Sequence, residues 1–138
     1  MQGFWWSQPP RLPLAAGQGW NTEVRGESFH QDALLRIVGG KGRYGSNWNV
    51  VAELKMPNDI PGHPTAVAVH INESLVGYLP SGQGSAIRNE LLALPGIENG
   101  VTCKATIVGG WDSRDIGGDT GHFGVKLSLT RCLKIRQG

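Results

Sequence analysis

The chain has 138 residues, of which 39% are hydrophobic and 17% are charged, and its formal net charge is +2. The length fits one domain with its own core, and the composition excludes a highly charged disordered chain. So small a net charge does not by itself indicate nucleic-acid binding, and any basic surface must therefore be local.

The two cysteines, Cys103 and Cys132, do not have the spacing of a metal site. We expect both to be buried free thiols of a cytoplasmic protein, because small secreted domains usually carry more cysteines. No apolar run approaches the ~20 residues that cross a bilayer, and no signal-peptide pattern is present. The sequence therefore predicts no contact with a membrane.

Residues 1–19 predict an N-terminal arm, and residues 20–138 predict the folded domain. The arm contains Trp5 and Trp6 among several prolines and shows no hydrophobic period, so we expect it to be extended. Adjacent tryptophans seldom stay in water, which favours packing on the domain or on a partner chain. The alternative is a poorly ordered tail.

Two short helices are predicted. Residues 29–38 form the first, capped by Ser28 or Asp32 and ended by a glycine pair. Residues 85–94 form the second, after a flexible link at 81–84. The apolar face of this second helix comprises Ile87, Leu91, Leu92 and Leu94.

The remaining apolar runs alternate with the period of strands. These strands cover residues 20–27, 48–56, 67–71, 75–79, 101–111 and 123–135. The third and fourth are joined by Asn72-Glu73-Ser74 and so predict a hairpin. Twenty-one glycines between short apolar runs fit this reading. The fold class is mainly β with two short helices (α+β), as a small, partly open β-barrel.

Three segments together resemble a HIRAN domain. They are Val24-Arg25-Gly26-Glu27-Ser28-Phe29-His30-Gln31-Asp32, the proline-rich loop and strand from Asn58 to Val69, and Val76-Gly77-Tyr78-Leu79-Pro80. The resemblance covers residues 22–133. It implies an oligonucleotide-binding-like (OB-like) barrel and a role in DNA repair, because the best-known relatives bind the free 3′ end of single-stranded DNA.

The resemblance also implies binding residues. Phe29 and His30 occupy the positions of an aromatic pair, and Tyr78 follows the strand glycine. Trp111 lies near a position where relatives present a phenylalanine. The chain departs from the family at Ser28, where the DNA-end binders place an arginine.

The middle loop departs from the family as well. Gly62 and His63 stand where an aromatic residue and an aspartate are expected, and Thr65 replaces an asparagine. The arginine and the aspartate are the groups that would grasp phosphate and sugar hydroxyl. The resemblance therefore supports the fold more strongly than the DNA-end activity.

Single-strand binding needs exposed rings for stacking and cations for phosphates. The rings His30, Tyr78 and Trp111 are candidates for stacking. The candidate cations are Arg25, Lys55, Arg88, Lys104 and Arg114. The alternative is that Phe29 and Tyr78 pack as edges of the core and that the cations are a solvated surface.

Neither a metal site nor catalysis is indicated. The four histidines are not at ligand spacing, and no nucleophile elbow or phosphate-binding glycine loop is present. We therefore predict a non-enzymatic module without cofactor or metal, which binds single-stranded DNA or DNA ends. The alternative is a protein-interaction or assembly domain that uses the Trp5-Trp6 arm for a partner or for self-association.

Overall fold

The computed structural model describes residues 11–56, 66–95, 97 and 100–136. Within these ranges lie seven strands and two helices. They are β1 (Leu12–Pro13), β2 (Thr22–Glu23), α1 (Gln31–Val38), β3 (Ser46–Lys55), β4 (Ala68–Ile71), β5 (Ser74–Tyr78), α2 (Ser81–Leu92), β6 (Val101–Gly109) and β7 (Phe123–Ser128).

Six strands form one antiparallel series in the order β2–β7–β6–β3–β4–β5, and β1 pairs with β6 in parallel. The longest ladder joins β3 to β6 over nine residue pairs, from Ser46 opposite Gly109 to Leu54 opposite Val101. On its other edge β3 pairs with β4 only at its end, from Glu53 to Lys55. The strand β3 is therefore shared by two parts of the sheet.

The two ends of this series meet through a pair of backbone hydrogen bonds. The N–H of Arg25 donates to the carbonyl of Tyr78 at 2.7 Å, and the N–H of Tyr78 donates to the carbonyl of Arg25 at 2.8 Å. Arg25 follows β2, and Tyr78 ends β5, so the sheet curls back on itself. The predicted class is confirmed: a mainly β protein with two helices whose sheet forms a small, partly open OB-like barrel.

The core lies inside this barrel and follows the strand alternation. In β6 the alternate residues Val101, Cys103, Ala105 and Ile107 are all buried. The opposite strands contribute Ala52, Leu54, Val69, Val76, Val125 and Leu127. The helices add Leu34 of α1 and Leu91 of α2, both with no exposed surface.

The helix α2 differs from its predicted form. It begins at Ser81 and not at residue 85, because the carbonyl of Pro80 accepts the N–H groups of Gln83 and Gly84. Its predicted face was also too wide: Leu91 is buried, whereas Leu92 is 56% exposed. Leu92 points about 100° away from Leu91 around the helix axis, and in α2 that direction faces away from the core.

Three further expectations were wrong in detail. Neither predicted cap starts α1, because the 3-10 turn Glu27–Phe29 runs directly into it with His30 at the N-cap. The last strand ends at Ser128, and the bend that follows leaves Cys132 exposed. In the predicted arm, residues 11–19 lie against the barrel, with Leu14 buried; Trp5 and Trp6 fall outside the described residues.

Gly77 stands where the closing strands approach most closely. A Cβ atom there would lie 2.5 Å from the carbonyl oxygen of Arg25 and 2.5 Å from Cγ1 of Val24. We expect Gly77→Ala to lower the free energy of unfolding by about 1–3 kcal/mol, because it overpacks the closure. Urea unfolding followed by circular dichroism measures this change.

Gly82→Ala is the matched control, since a Cβ atom at this helical position meets nothing within 4 Å. It should leave stability unchanged or raise it, because alanine favours the helix. Equal unfolding midpoints for Gly77→Ala and the unmodified protein would contradict the role of this closure.

Candidate nucleic-acid interface

Four residues form a row across neighbouring strands, which we call the cross-strand row: Lys55, Ala68, Tyr78 and Arg25. Lys55 of β3 is opposite Ala68 of β4, Ala68 is opposite Tyr78 of β5, and Tyr78 is opposite Arg25. Directly paired residues share one face of a sheet, and adjacent strands lie about 4.8 Å apart. The row thus places the half-buried Tyr78 directly beside the exposed Arg25, with the exposed Lys55 two strands away across Ala68, which is only 2% exposed.

The chain after Arg25 brings further predicted residues to this region. Gly26 adopts a left-handed conformation (φ 79°), and the 3-10 turn that it starts packs against β5. Within that turn Ser28 is exposed, and the Phe29 side chain is 86% exposed. His30, half-buried, follows at the start of α1. An aromatic ring as exposed as Phe29 does not serve the core.

A residue that the sequence analysis did not select, His70, lies on the same face as the row. Its burial is the main cause that lowers its pKa, and the charges of Lys55 and His30 lower it further, against a smaller opposite effect of Glu53. The Nδ1 atom of His70 is buried and finds no hydrogen-bond partner among the described residues. His70 is opposite Glu53 of β3, two residues before Lys55, and therefore lies beside the Lys55 end of the row.

Carboxylates accompany both cations of the row. Lys55 Nζ lies 3.9 Å from Glu53 Oε1, and Arg25 Nη2 lies 3.8 Å from Glu23 Oε2. The Arg25–Glu23 pair is exposed and at such a distance contributes little, whereas in the other pair Lys55 is 48% exposed and Glu53 only 15%. Glu53 is held more closely by Arg11, whose Nε atom lies at 3.1 Å.

Other predicted site residues do not join the row. The Trp111 ring packs on Gly121, and its Nε1–H donates to Asp119 Oδ1 at 2.8 Å. It borders the loop before β3, where the N–H of Asp112 donates to the carbonyl of Gly42. Lys55 is at the far end of β3, so the stacking role predicted for Trp111 does not fit this row.

Two cations are engaged elsewhere. Arg88 donates from Nη1 to the carbonyl of Ala66 at 3.0 Å, just before β4. Arg114 holds Asp112 with two side-chain hydrogen bonds, at 3.0 and 2.9 Å, which lowers the pKa of that carboxyl to about 2. Lys104 is exposed on β6, opposite Val51. His63, with Gly62 and Thr65, lies outside the described residues.

The alternation of residues 67–71 contained the signal for His70. Val69 and Ile71 point into the core, so the half-buried His70 between them points to the opposite face of the sheet; Ala68 shares that face but is only 2% exposed. What the alternation does not give is the partner of each strand. His70 lies near Lys55 because β4 pairs with the end of β3.

Among the described residues, no three His, Cys, Asp or Glu side chains gather as a metal ion would require. Neither helix in this part of the chain has the length and apolar character needed to cross a bilayer. Comparisons of the chain with protein-family models, curated proteins and solved structures found no match.

The state of His70 predicts how stability depends on pH. Its pKa in the folded protein lies below the ordinary 6.5, so the unfolded chain binds the proton more readily. The free energy of unfolding is therefore not reduced by His70 above about pH 6.5. It falls as the pH decreases below that value and through the lower pKa of the folded state. We expect His70→Asn to flatten this loss, measured as urea midpoints between pH 7.5 and 5.

His122→Asn, at an exposed position before β7, is the control and should keep the slope of the unmodified protein. An unchanged slope in His70→Asn would show that other groups produce the acid sensitivity.

Proposed function

We propose that this chain is a non-enzymatic, HIRAN-like module that binds single-stranded DNA, with a free 3′ end as its preferred ligand. The observation that carries the proposal is the cross-strand row, in which Tyr78 lies between Arg25 and Lys55. A role in DNA repair belongs to the proposal through the sequence resemblance, and a cytoplasmic location belongs to it through the small number of cysteines.

The row supplies the two kinds of contact that single strands need. The Tyr78 ring and the exposed Phe29 ring offer π faces, and stacking of a base on such a ring stabilises by about 1–3 kcal/mol. Arg25 is paired directly with Tyr78 and Lys55 lies two strands away on the other side, so a single strand laid along the row would meet a cation at each end. His30 adds a further ring and donor near the turn.

Arg25 can take the role of the arginine that the family has at the position of Ser28. The missing arginine would have served a phosphate beside the aromatic pair. Arg25 is three residues earlier, and its backbone is bonded to that of Tyr78 on the same face. It is thus in a position to supply the cation that Ser28 lacks.

Substitution of the two rings tests the stacking. We expect Phe29→Ala and Tyr78→Ala each to weaken binding of a fluorescent single-stranded oligonucleotide by about 5- to 150-fold, the equivalent of one lost stack. Fluorescence anisotropy gives the Kd values. Phe29→Ala is the cleaner variant, because so exposed a ring contributes little to the fold.

Substitution of the cations has a separate signature. Arg25→Gln or Lys55→Gln should reduce the slope of log K against log salt by about 0.7, since each removes one phosphate contact. Arg131→Gln is the control, because this exposed arginine borders α2 and Leu133, away from the row. If Arg131→Gln changes the slope as much as Arg25→Gln, binding is not localised at the row.

The preference for an end is tested by the chemistry of that end. Oligonucleotides with a free 3′-hydroxyl should bind more tightly than the same sequences carrying a 3′-phosphate. Equal affinities would limit the function to general single-strand binding. Absence of binding at low salt would contradict the proposal as a whole.

A further inference from the structure

The first part of β3 has an open edge. On one side, residues 46–54 pair with β6, whereas on the other side only residues 53–55 pair with β4. Among the described residues, none pairs with that second edge between Ser46 and Ala52. A sheet edge of this kind presents N–H and C=O groups that another strand can bond.

The direction of the backbone groups of β3 follows from its partner β6. The strand β1 pairs with the side of β6 that faces away from β3. The N–H of Leu14 donates to the carbonyl of Thr102 at 2.8 Å, and the N–H of Leu12 donates to that of Gly100 at 2.9 Å. Because backbone groups alternate along a strand, the odd-numbered residues of β6 face β3. Trp48 is opposite Ile107 and so bonds to β6.

The neighbours of Trp48 therefore point the other way. Asn47 and Asn49 direct their N–H and C=O groups to the open edge, which gives two donors and two acceptors. The strand is uncharged from residue 46 to residue 50 and contains no proline or glycine. It lacks the lysine, proline or bulge that usually protects an edge, and its Trp48 side chain is 50% exposed.

The hairpin turn limits how far a docked strand can extend. Asn72 and Glu73, at the tip of the β4–β5 hairpin, share an open groove of about 450 Å³ with Val51 and Ala52. A strand added to β3 would meet this tip beyond residue 50. The accessible stretch is therefore 46–50, and its midpoint is Trp48.

We propose that this edge binds the same edge of a second copy of the chain, antiparallel and with a two-fold axis at Trp48. Asn47 of each copy then pairs with Asn49 of the other, and all four edge N–H and C=O groups of each copy are bonded. The two Trp48 residues face each other as a non-hydrogen-bonded pair, with Cα atoms about 4.5 Å apart.

The amino-acid composition of the edge favours a second copy of the chain over a charged peptide. A charged peptide would find no opposite charge between residues 46 and 50, whereas the asparagines and the tryptophan complement themselves under two-fold symmetry. A five-residue strand contact is small compared with standard interfaces, so the dimer is weak and depends on concentration. The surface is separate from the cross-strand row, so the proposal does not depend on DNA binding.

A symmetric cross-link tests the register. In full-length protein carrying Cys132→Ser, we expect Trp48→Cys to form a disulfide dimer under mild oxidation, because the paired Cα atoms meet disulfide geometry. Cys103 will not compete, since burial raises the pKa of its thiol to about 12. Leu92→Cys, exposed on α2, is the control and should form far less dimer.

A second measurement needs no cysteine. Sedimentation equilibrium of the full chain should show a monomer–dimer equilibrium whose Kd rises about tenfold or more in Asn49→Lys, because a charge at the edge opposes pairing. Leu92→Lys should leave the Kd unchanged. A protein that is monomeric at every concentration, or a dimer that is indifferent to Asn49→Lys, would overturn the proposal and assign the edge or the dimer to other partners.

Discussion

Two hydrogen bonds between Arg25 and Tyr78 hold the far ends of the sheet together. The six-strand series would otherwise end in two edges, at β2 and at β5. Its closure encloses the apolar inner face, and Gly77 allows the approach because a side chain there would collide with Val24 and Arg25. The candidate site follows from the same contact, since it sets an arginine directly beside Tyr78.

The strand β3 serves two purposes at its two ends. Its last residues join β4 and contribute Lys55 to the cross-strand row, whereas one edge of its first residues has no strand partner in the described part of the chain. Trp48 and Lys55 are about 23 Å apart along an extended strand. A second copy bound at Trp48 would therefore leave the row accessible, and a dimer would carry two rows.

Local patterns in the sequence predicted much of this architecture. The alternating apolar residues predicted the strand segments, and Asn72-Glu73 predicted the hairpin turn, where both residues adopt positive φ. What failed was α2, where two glycines suggested a link. Hydrogen bonds to the Pro80 carbonyl override their weak helix propensity.

The candidate site was predictable only in its residue types. Arg25, Lys55 and Tyr78 were selected because cations and rings suit a nucleic acid. Their placement in one row depends on strand pairing between segments distant in sequence, which no local pattern encodes. Trp111 shows the converse, since its indole is occupied by Asp119 and Gly121 of its own loop.

The closure also has a kinetic consequence. The strands of the β4–β5 pair and of the β6–β7 pair are each linked by one loop and are close in sequence. The contacts near β2 and the end of β7 instead join residues 108 positions apart, such as Asn21 and Leu129. Loop-closure entropy delays such distant pairings. The barrel is thus expected to assemble from its hairpins and to add β2 last. Because Arg25 directly follows β2, the surface around Tyr78 is completed in that same step.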